Sequence, residues 1–377
     1  MSSSPVPQLD LSGSPYDIGL KHGQVLRAAI LRQIAIYAEL FEVRCKLDWE
    51  EAQEVARGYE RSLQNLVPHV LDEMRGIADG MGKDTHVSVR DIIVLNARSE
   101  IALGLWDDGC TSLAWALRDS GRQILAQNWD WRVPVQENLA LVSITQPEKP
   151  KIWMVIEAGM VGKIGFNSAS VGVTLNAIRA RPISTSCLPI HVALRLALES
   201  TSVAKAIKTI ENLGGVGSSQ HILIADRNGA QALELSPWGN VYIKPNEDGL
   251  IVHTNHFLMN KFVEEPPWLS SSPIRLERAY TLCKEIADED PTLTSLTSAL
   301  LRERIFSDTF NAPDAICCSP NPTAEDGNTT TLFNIVMEFG EDRPPKAEVQ
   351  FDRPGLDNHN PVLRIPWKQT GGEVVNA

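Results

Sequence analysis

The chain changes its hydrophobic pattern abruptly at one short segment, Asp-Asp-Gly-Cys-Thr-Ser at residues 107–112. Before it, apolar residues recur at three- and four-residue spacings, which predicts helices over 14–45, 49–82 and 88–103. After it, short apolar runs bounded by turn residues predict β-strands. Runs of strands, then helix pairs, then strands again constrain the chain to a layered α+β fold, in which helices cover two packed sheets.

The first strands after the junction are predicted to form a hairpin. Thr111–Leu117 is the first strand, 119–122 the turn and Gln123–Asn128 the return strand. Further strands are predicted at 138–144, 152–158, 171–176, 220–226, 230–236, 240–244, 249–253, 331–338 and 346–351. Further helices are predicted at 189–200, 202–213, 273–287 and 291–303.

The Gly109–Cys110 pair at the junction is a candidate for catalytic chemistry. If this peptide bond breaks, Cys110 becomes a chain terminus that carries both a thiol and a free α-amine. An α-amine with a pKa of about 8 is able to accept the proton of the thiol, so that one residue provides a nucleophile and a base. The alternative is a buried cysteine beside a turn glycine.

Asp130 is the first candidate partner of Cys110. A hairpin brings the end of its second strand back beside the start of its first, so Asp130 is expected to approach the new α-amine and hold it by a charge-assisted hydrogen bond. The alternative is an aspartate that only forms a turn at the strand end.

Two asparagines at predicted strand ends are candidates for contacts with the substrate. Asn255, in His253-Thr254-Asn255-His256, is interpreted as a side-chain N–H donor for an oxyanion, or else as a turn residue. Asn176 is either a turn former or an amide that contacts the substrate. No metal site is predicted, because a strand or turn does not place His253 and His256 on one face and no acidic third ligand is nearby.

Composition excludes several classes of protein. The formal net charge is −12, which argues against a nucleic-acid partner. The six cysteines show no Cys-x-x-Cys spacing, which favours reduced thiols in an intracellular protein. No secretory signal and no run of about 18 apolar residues is visible, and the tail is not a peroxisomal Ser-Lys-Leu address. A cytoplasmic protein without a membrane span is expected.

The ordered motifs together resemble one family. In chain order they are Asp-Gly-Cys-Thr (108–111), Gln-Asn-Trp-Asp (127–130), Glu-Ala-Gly-x-x-Gly-Lys-x-Gly-Phe-Asn-Ser-Ala (157–169), Leu-Asn-Ala (175–177), Leu-Arg-Leu-Ala-Leu-Glu-Ser (194–200), Glu-Leu-Ser-Pro (234–237), Val-His-Thr-Asn-His (252–256) and Thr-Leu-Phe-Asn-Ile (331–335). From about residue 14 to about 351 the chain resembles the acyl-coenzyme A:6-aminopenicillanic acid acyltransferases, also called isopenicillin N acyltransferases, within the N-terminal nucleophile hydrolases.

The resemblance implies a four-layer αββα sandwich made as an inactive precursor. The precursor would cut itself between Gly109 and Cys110 into a helical pro-segment or α subunit, 1–109, and a β subunit with the catalytic core, 110–377. The two fragments would remain one integrated globular unit.

The resemblance also implies roles for single residues. Cys110 would be the nucleophile and Asp130 its orienting carboxylate, while Asn255 and Asn176 would serve the oxyanion and the substrate. Ser236 matches a serine of the acyl-handling site. Asn128, within the Gln-Asn-Trp-Asp motif, is a further substrate or oxyanion candidate.

One position departs from the family pattern. Close relatives carry Ser-Arg-Gly before Ala-Thr-Leu-Phe-Asn, and Asn328 stands here at the position of the arginine. Asparagine cannot replace the charge or the bidentate geometry of a guanidinium. Asn328 is therefore a substrate candidate whose identity argues against penicillin-like substrates that bear a carboxylate.

The function expected from these observations is acyl transfer. An acyl group would move from a thioester or amide, through a Cys110 thioester, to an amine acceptor of secondary metabolism. No cofactor is expected, since acyl-coenzyme A would enter as a donor substrate, and the partners would be the small-molecule donor and acceptor. Release of the acyl group to water is the alternative within the family, and an uncleaved, non-catalytic binding homologue is the alternative of another class.

Overall fold

The computed structural model describes residues 6–102, 109–266, 270–321, 329–341, 343–356 and 360–367. The strands are β1 Gln8–Ser12, β2 Thr111–Leu117, β3 Arg122–Arg132, β4 Leu139–Thr145, β5 Ile152–Glu157, β6 Ile164–Asn167, β7 Gly172–Ala177, β8 Gln220–Asp226, β9 Gly229–Leu235, β10 Val241–Ile243, β11 Leu250–His253, β12 Thr329–Gly340, β13 Arg343–Phe351 and β14 Val362–Ile365. The helices are α1 Pro15–Val25, α2 Arg27–Leu40, α3 Trp49–Leu66, α4 Pro68–Gly80, α5 Val89–Asn96, α6 Arg98–Ile101, α7 Ile190–Leu198, α8 Val203–Asn212, α9 Ser272–Glu289 and α10 Ser298–Leu301.

Two sheets lie face to face between two layers of helices. One sheet has the order β1-β4-β5-β6-β7-β8-β9-β10 and the other the order β11-β2-β3-β12-β13-β14. Strands β2 and β3 pack on β7 and β8 across the interior, α7 covers the first sheet and α9 covers the second. The predicted α+β class and the four-layer αββα sandwich are confirmed.

The hairpin that begins at Cys110 forms as the sequence predicts, but its second strand is longer. Strand β2 pairs with β3 from Thr111↔Asn128 to Leu117↔Arg122. Strand β3 then continues to Arg132, because β12 pairs along its other edge as far as Thr329↔Arg132. Asp130 therefore belongs to a paired strand and not to a turn.

The leader before Cys110 is mainly helical, and local signals in its sequence set the starts of its helices. Capping boxes begin α1 at Ser14 and α3 at Asp48, where the side chain of the N-cap satisfies a backbone N–H of the first turn. At the start of α5, the carboxylate of Asp91 accepts the backbone N–H of Ser88 at 2.7 Å. The predicted helix over 14–45 is divided at Leu26 and ends in a π-helical turn, Phe41–Cys45.

The leader also supplies a strand that the periodicity does not predict. Strand β1 pairs in parallel with β4 at the edge of the eight-stranded sheet, from Gln8↔Leu141 to Ser12↔Thr145. Strands β6 and β14 were likewise not predicted.

The prediction of a helix over 291–303 is largely wrong. Only Ser298–Leu301 is α-helical, followed by a π-helical turn. The carboxylate of Asp290 accepts hydrogen bonds from the backbone N–H and the hydroxyl of Ser295 at 2.8 and 2.6 Å. These bonds stabilise a turn in place of the first helical residues.

None of the helices in the described ranges combines the length and the apolar composition that crossing a membrane requires.

A buried ion pair joins the leader to the rest of the chain. Arg195 of α7 donates two hydrogen bonds to the carboxylate of Glu73 in α4, at 2.8 and 2.7 Å, and both side chains are buried. Burial raises the pKa of Glu73 although Arg195 opposes the shift. The carboxylate therefore depends on this guanidinium to stay ionised inside the protein.

Replacing Arg195 by methionine is expected to lower the free energy of unfolding by about 3–5 kcal/mol, because it leaves the carboxylate of Glu73 buried without its partner. Urea denaturation measures the change. The double variant Arg195→Met with Glu73→Leu, which removes both charges of this pair, should recover part of the loss, since Arg195 also donates to Glu199 at 3.0 Å. A loss below about 1 kcal/mol in the single variant would contradict the importance of this pair.

Candidate active site

Cys110 lies immediately before β2 and is buried, with 1% of its surface exposed. Its Sγ atom is 3.7 Å from the backbone oxygen of Asp130. Its own carbonyl oxygen accepts hydrogen bonds from Asn176 Nδ2 at 3.1 Å and from Arg275 Nη1 at 2.6 Å. The main chain of the candidate nucleophile is therefore fixed from two sides.

The carboxylate of Asp130 lies against the Gly109–Cys110 segment. Continuing the hairpin register by two residues from Thr111↔Asn128 places Asp130 opposite Gly109. A Cβ atom on Gly109 would lie only 2.8 Å from Asp130 Oδ2, so a larger residue at this position would displace the carboxylate. Thr331 Oγ1 donates to the other oxygen, Oδ1, at 2.6 Å and orients the carboxylate.

Asn255 follows β11 and is brought to the same site. Its Oδ1 accepts a hydrogen bond from Arg275 Nη2 at 3.0 Å, which fixes the orientation of the amide. Its Nδ2 donates to the backbone oxygen of Ala177 at 3.0 Å. An amide nitrogen carries two N–H bonds, and this contact uses one of them.

Arg275 is a residue of the site that the sequence reasoning missed. It lies in the first turn of α9, is 1% exposed, and donates to both Cys110 and Asn255. A signal was present, because Arg275 occupies the same helical stripe as the buried Ala279 and Leu282. A charged residue in a core stripe needs a polar partner.

The positive charge of Arg275 also acts on its surroundings. Burial lowers the pKa of His256 to about 4, helped by the charges of His253 and Arg275. His256 is therefore neutral near pH 7, and its Nδ1 lies 2.7 Å from Ser272 Oγ.

Asn176, at the end of β7, reaches across from the other sheet. Its Nδ2 contacts the Cys110 carbonyl, while its Oδ1 accepts from Ser112 Oγ at 2.7 Å and lies 3.0 Å from His221 Nδ1. The described contacts of this amide are thus with the main chain of the nucleophile and with buried groups behind it.

Ser236 and Asn128 are also predicted to belong to the site, but their described side-chain contacts are with groups other than Cys110. The hydroxyl of Ser236 donates to the backbone oxygen of Gly239 at 2.8 Å and so closes a turn after β9. Asn128 donates to the backbone oxygens of Phe306 and Ile316, both at 2.8 Å, and thereby holds the outer layer on β3. Asn328 lies outside the described residues.

A second buried polar cluster lies between the leader and the eight-stranded sheet. Glu157 accepts from Lys163 Nζ at 2.6 Å and from Arg98 Nη2 at 2.9 Å, and Lys163 Nζ lies 3.8 Å from the ring centre of Trp129. Burial acts to raise the pKa of Glu157, but the two cations outweigh it and hold the pKa at about 2. Burial lowers the pKa of Lys163 to about 8.

Cysteine and histidine side chains are able to form disulfides or to bind a metal ion. No disulfide joins any of the six cysteines, all of which lie in the described ranges. Within the described ranges, no group of three or more His, Cys, Asp or Glu side chains is arranged to hold a metal ion. His253 instead contacts Glu234 at 2.9 Å.

Comparison with known proteins decides the family. The model of the family described as acyl-coenzyme A:6-aminopenicillanic acid acyl-transferase matches residues 117–355. A protein of Emericella nidulans, the acyl-coenzyme A:6-aminopenicillanic-acid-acyltransferase 40 kDa form, is 33% identical over 354 residues, which cover 93% of this chain and 94% of the relative. The chain belongs to this acyltransferase family. The resemblance inferred from the ordered motifs is thereby confirmed, and with it the expectation of an enzyme of the acyltransferase or amidohydrolase class.

Two solved structures are similar to this member of the acyltransferase family in part of their fold. A variant of conjugated bile acid hydrolase from Clostridium perfringens gives a TM-score of 0.48 at 13% identity, covering 68% of this chain and 92% of that chain. Penicillin V acylase from Agrobacterium tumefaciens gives a TM-score of 0.43 at 11% identity, covering 64% and 82%.

Proposed function

We propose that the chain cleaves its own Gly109–Cys110 bond and then transfers acyl groups through a Cys110 thioester to an amine acceptor. One observation carries the proposal: a buried cysteine lies beside a glycine that is in close contact with the carboxylate of Asp130. This arrangement supports the proposal, because it would bring a nucleophile, a cleavable bond and an acceptor for the new ammonium group together.

Cleavage would proceed as an acyl shift followed by hydrolysis. The Sγ atom of Cys110 attacks the carbonyl carbon of Gly109, the C–N bond breaks, and the thiol proton passes to the departing nitrogen. Water then hydrolyses the resulting thioester, which leaves a carboxylate on Gly109 and a free α-amine on Cys110. Asp130 would hold this amine by a charge-assisted hydrogen bond.

Acyl transfer would use the thiol of Cys110 a second time, now together with its new α-amine. The α-amine accepts the thiol proton while Sγ attacks the carbonyl of the donor, and the proton then passes to the leaving thiolate or amine. The acceptor amine attacks the acyl thioester, forms an amide and returns the thiol. The second N–H of Asn255 is proposed to stabilise the oxyanion, with Arg275 fixing the orientation of its amide.

The similarity to the Emericella nidulans relative supports acyl-coenzyme A as the donor and an amine as the acceptor. No cofactor is needed, because the donor is itself a substrate. Asparagine at position 328 removes a charge that is suited to a substrate carboxylate. The acceptor is therefore proposed to be an amine of secondary metabolism other than a carboxylate-bearing β-lactam nucleus.

Hydrolysis is the second candidate function, since water attacks the same acyl thioester if it reaches the site. Turnover of acyl-coenzyme A thioesters should be measured with and without a library of amines. We expect at least one amine to divert the acyl group into an amide. If the thioester is consumed and no amine captures the acyl group, the enzyme is a hydrolase and the transfer proposal is wrong.

A further inference from the structure

The orientation of the Asn176 amide is fixed by the groups around it. Its Nδ2 lies 3.1 Å from the carbonyl oxygen of Cys110 and 3.5 Å from that of His253. Two carbonyl oxygens require a donor between them, so this atom is the NH₂ group. The opposite atom, Oδ1, is therefore an acceptor, and His221 Nδ1, 3.0 Å away, must carry a proton.

His221 is neutral and stacked on a second histidine. The rings of His221 and His253 are 3.5 Å apart and only 8° from parallel. Burial and the positive charge of His253 hold the pKa of His221 well below its usual range. With Nδ1 protonated, His221 is thus the Nδ1–H tautomer.

His253 carries the charge, because both of its nitrogens face acceptors. Nδ1 lies 2.8 Å from the backbone oxygen of Thr254 and Nε2 lies 2.9 Å from Glu234 Oε1. A carbonyl oxygen cannot donate a proton, and the carboxylate of Glu234 already accepts the backbone N–H groups of Leu258, Met259 and Asn260. Both nitrogens of His253 therefore donate, which makes the ring an imidazolium.

The pKa of Glu234 agrees with this assignment. Burial acts to raise it, but the hydrogen bond and charge of His253, together with the backbone N–H groups of the following loop, outweigh burial and lower the pKa. A fully buried imidazolium is stable only beside such a partner.

We propose that Glu234, His253 and His221 are positioning residues for the nucleophile, which act through Asn176 on the main chain of Cys110. Glu234 fixes the His253 imidazolium, on which the neutral His221 stacks, and His221 donates to the amide that holds the Cys110 carbonyl. Because Glu234 also holds 258–260, the same network connects the nucleophile to the loop that follows Asn255. The inference rests on the proposed function, since it assigns Cys110 as the nucleophile.

Two variants at His221 distinguish the effect of its hydrogen bond to Asn176 from the effect of its side-chain volume. The Nδ2 atom of an asparagine side chain lies close to the position of a histidine Nδ1 atom, so His221→Asn keeps a hydrogen-bond donor to Asn176. His221→Leu fills the same space but has no donor. We expect His221→Leu to lower kcat for acyl-thioester turnover about 100-fold with a smaller change in KM, because a misplaced nucleophile slows the chemical step. His221→Asn should retain most of the wild-type kcat.

Equal losses in the two variants, or wild-type kcat in His221→Leu, would overturn the positioning role. If His221→Leu does not fold, the protonation states of the histidine rings in wild-type protein still test the network, because that measurement needs no variant at this position. Wild-type protein that neither cleaves nor turns over any acyl thioester would instead contradict the proposed function.

A spectroscopic measurement tests the protonation states without any activity. In protein labelled with ¹⁵N-histidine and held near pH 7, we expect one of the eight rings to carry protons on both nitrogens, because both nitrogens of His253 face acceptors. The neighbouring His221 and His256 should both be neutral there. Glu234→Gln should abolish the doubly protonated signal. A wild-type spectrum in which every ring is neutral at that pH would overturn the inference.

Discussion

Cys110→Ala protein is expected to run on a denaturing gel as one band at the full mass of 41.5 kDa and to show no acyl-thioester turnover. Wild-type protein should instead give fragments of about 12 and about 30 kDa, from 109 and 377 − 109 = 268 residues. In the proposed mechanism one thiol performs both cleavage and transfer, so its removal should abolish both. Fragments that persist in the alanine variant would contradict self-cleavage by Cys110.

A second buried cysteine provides the matched control. Cys283 is fully buried in the helical layer over the six-stranded sheet, and burial raises the pKa of its thiol well above the ordinary value. Cys283→Ala should therefore leave cleavage and turnover close to wild type. Loss of cleavage in this variant as well would indicate damage to the fold and not loss of the nucleophile.

Asp130→Asn is expected to slow both cleavage and turnover by about 100- to 1000-fold, the usual effect of removing a preorganised polar group from an active site. The pH profile should change in a defined direction. A neighbouring carboxylate raises the pKa of an amine, so its removal lowers the pKa of the Cys110 α-amine. Because this amine acts as a base only when neutral, the acid limb of kcat/KM should move to lower pH.

Asp226→Asn is a suitable control for this variant. Asp226 is also a buried aspartate at a strand end, but it accepts the backbone N–H of Val203 at 2.8 Å, at the start of α8. The Asp226→Asn variant should change the stability of the fold and leave the pH profile of kcat/KM unchanged. An unchanged rate in Asp130→Asn, or an acid limb that moves to higher pH, would contradict the role of Asp130.

The parts of the site that local sequence predicts are those made by neighbouring elements. The hairpin turn at 119–122 and the junction at Cys110 together predict that Asp130 returns to Gly109, and the structure places it there. Asn176 and Asn255 also reach the site, but their approach depends on the packing of two sheets. The order of the predicted elements indicates two packed sheets, but it does not show which strands of one sheet face Cys110.

The remaining features depend either on a contact between distant residues or on side-chain hydrogen bonds inside turns, neither of which hydrophobic periodicity records. Arg275 is 165 residues from Cys110 in sequence, and nothing near it predicts that contact. The resemblance implies that Ser236 handles the acyl group, and the contact that the structure describes for its hydroxyl is a hydrogen bond to the backbone oxygen of Gly239 in the turn that it begins. The helix over 291–303 fails because the periodicity ignores the acceptor strength of the Asp290 side chain.

Strand β1 has a consequence for how the chain must be handled in the cell and in the laboratory. It covers the edge of β4, whose sequence Leu-Ala-Leu-Val-Ser-Ile-Thr is buried except at its last residue. An uncovered apolar edge strand offers unpaired backbone groups to other molecules and promotes aggregation. Strand β1 therefore protects the protein from forming intermolecular sheets, and a shortened chain that begins at α1 would lose that protection.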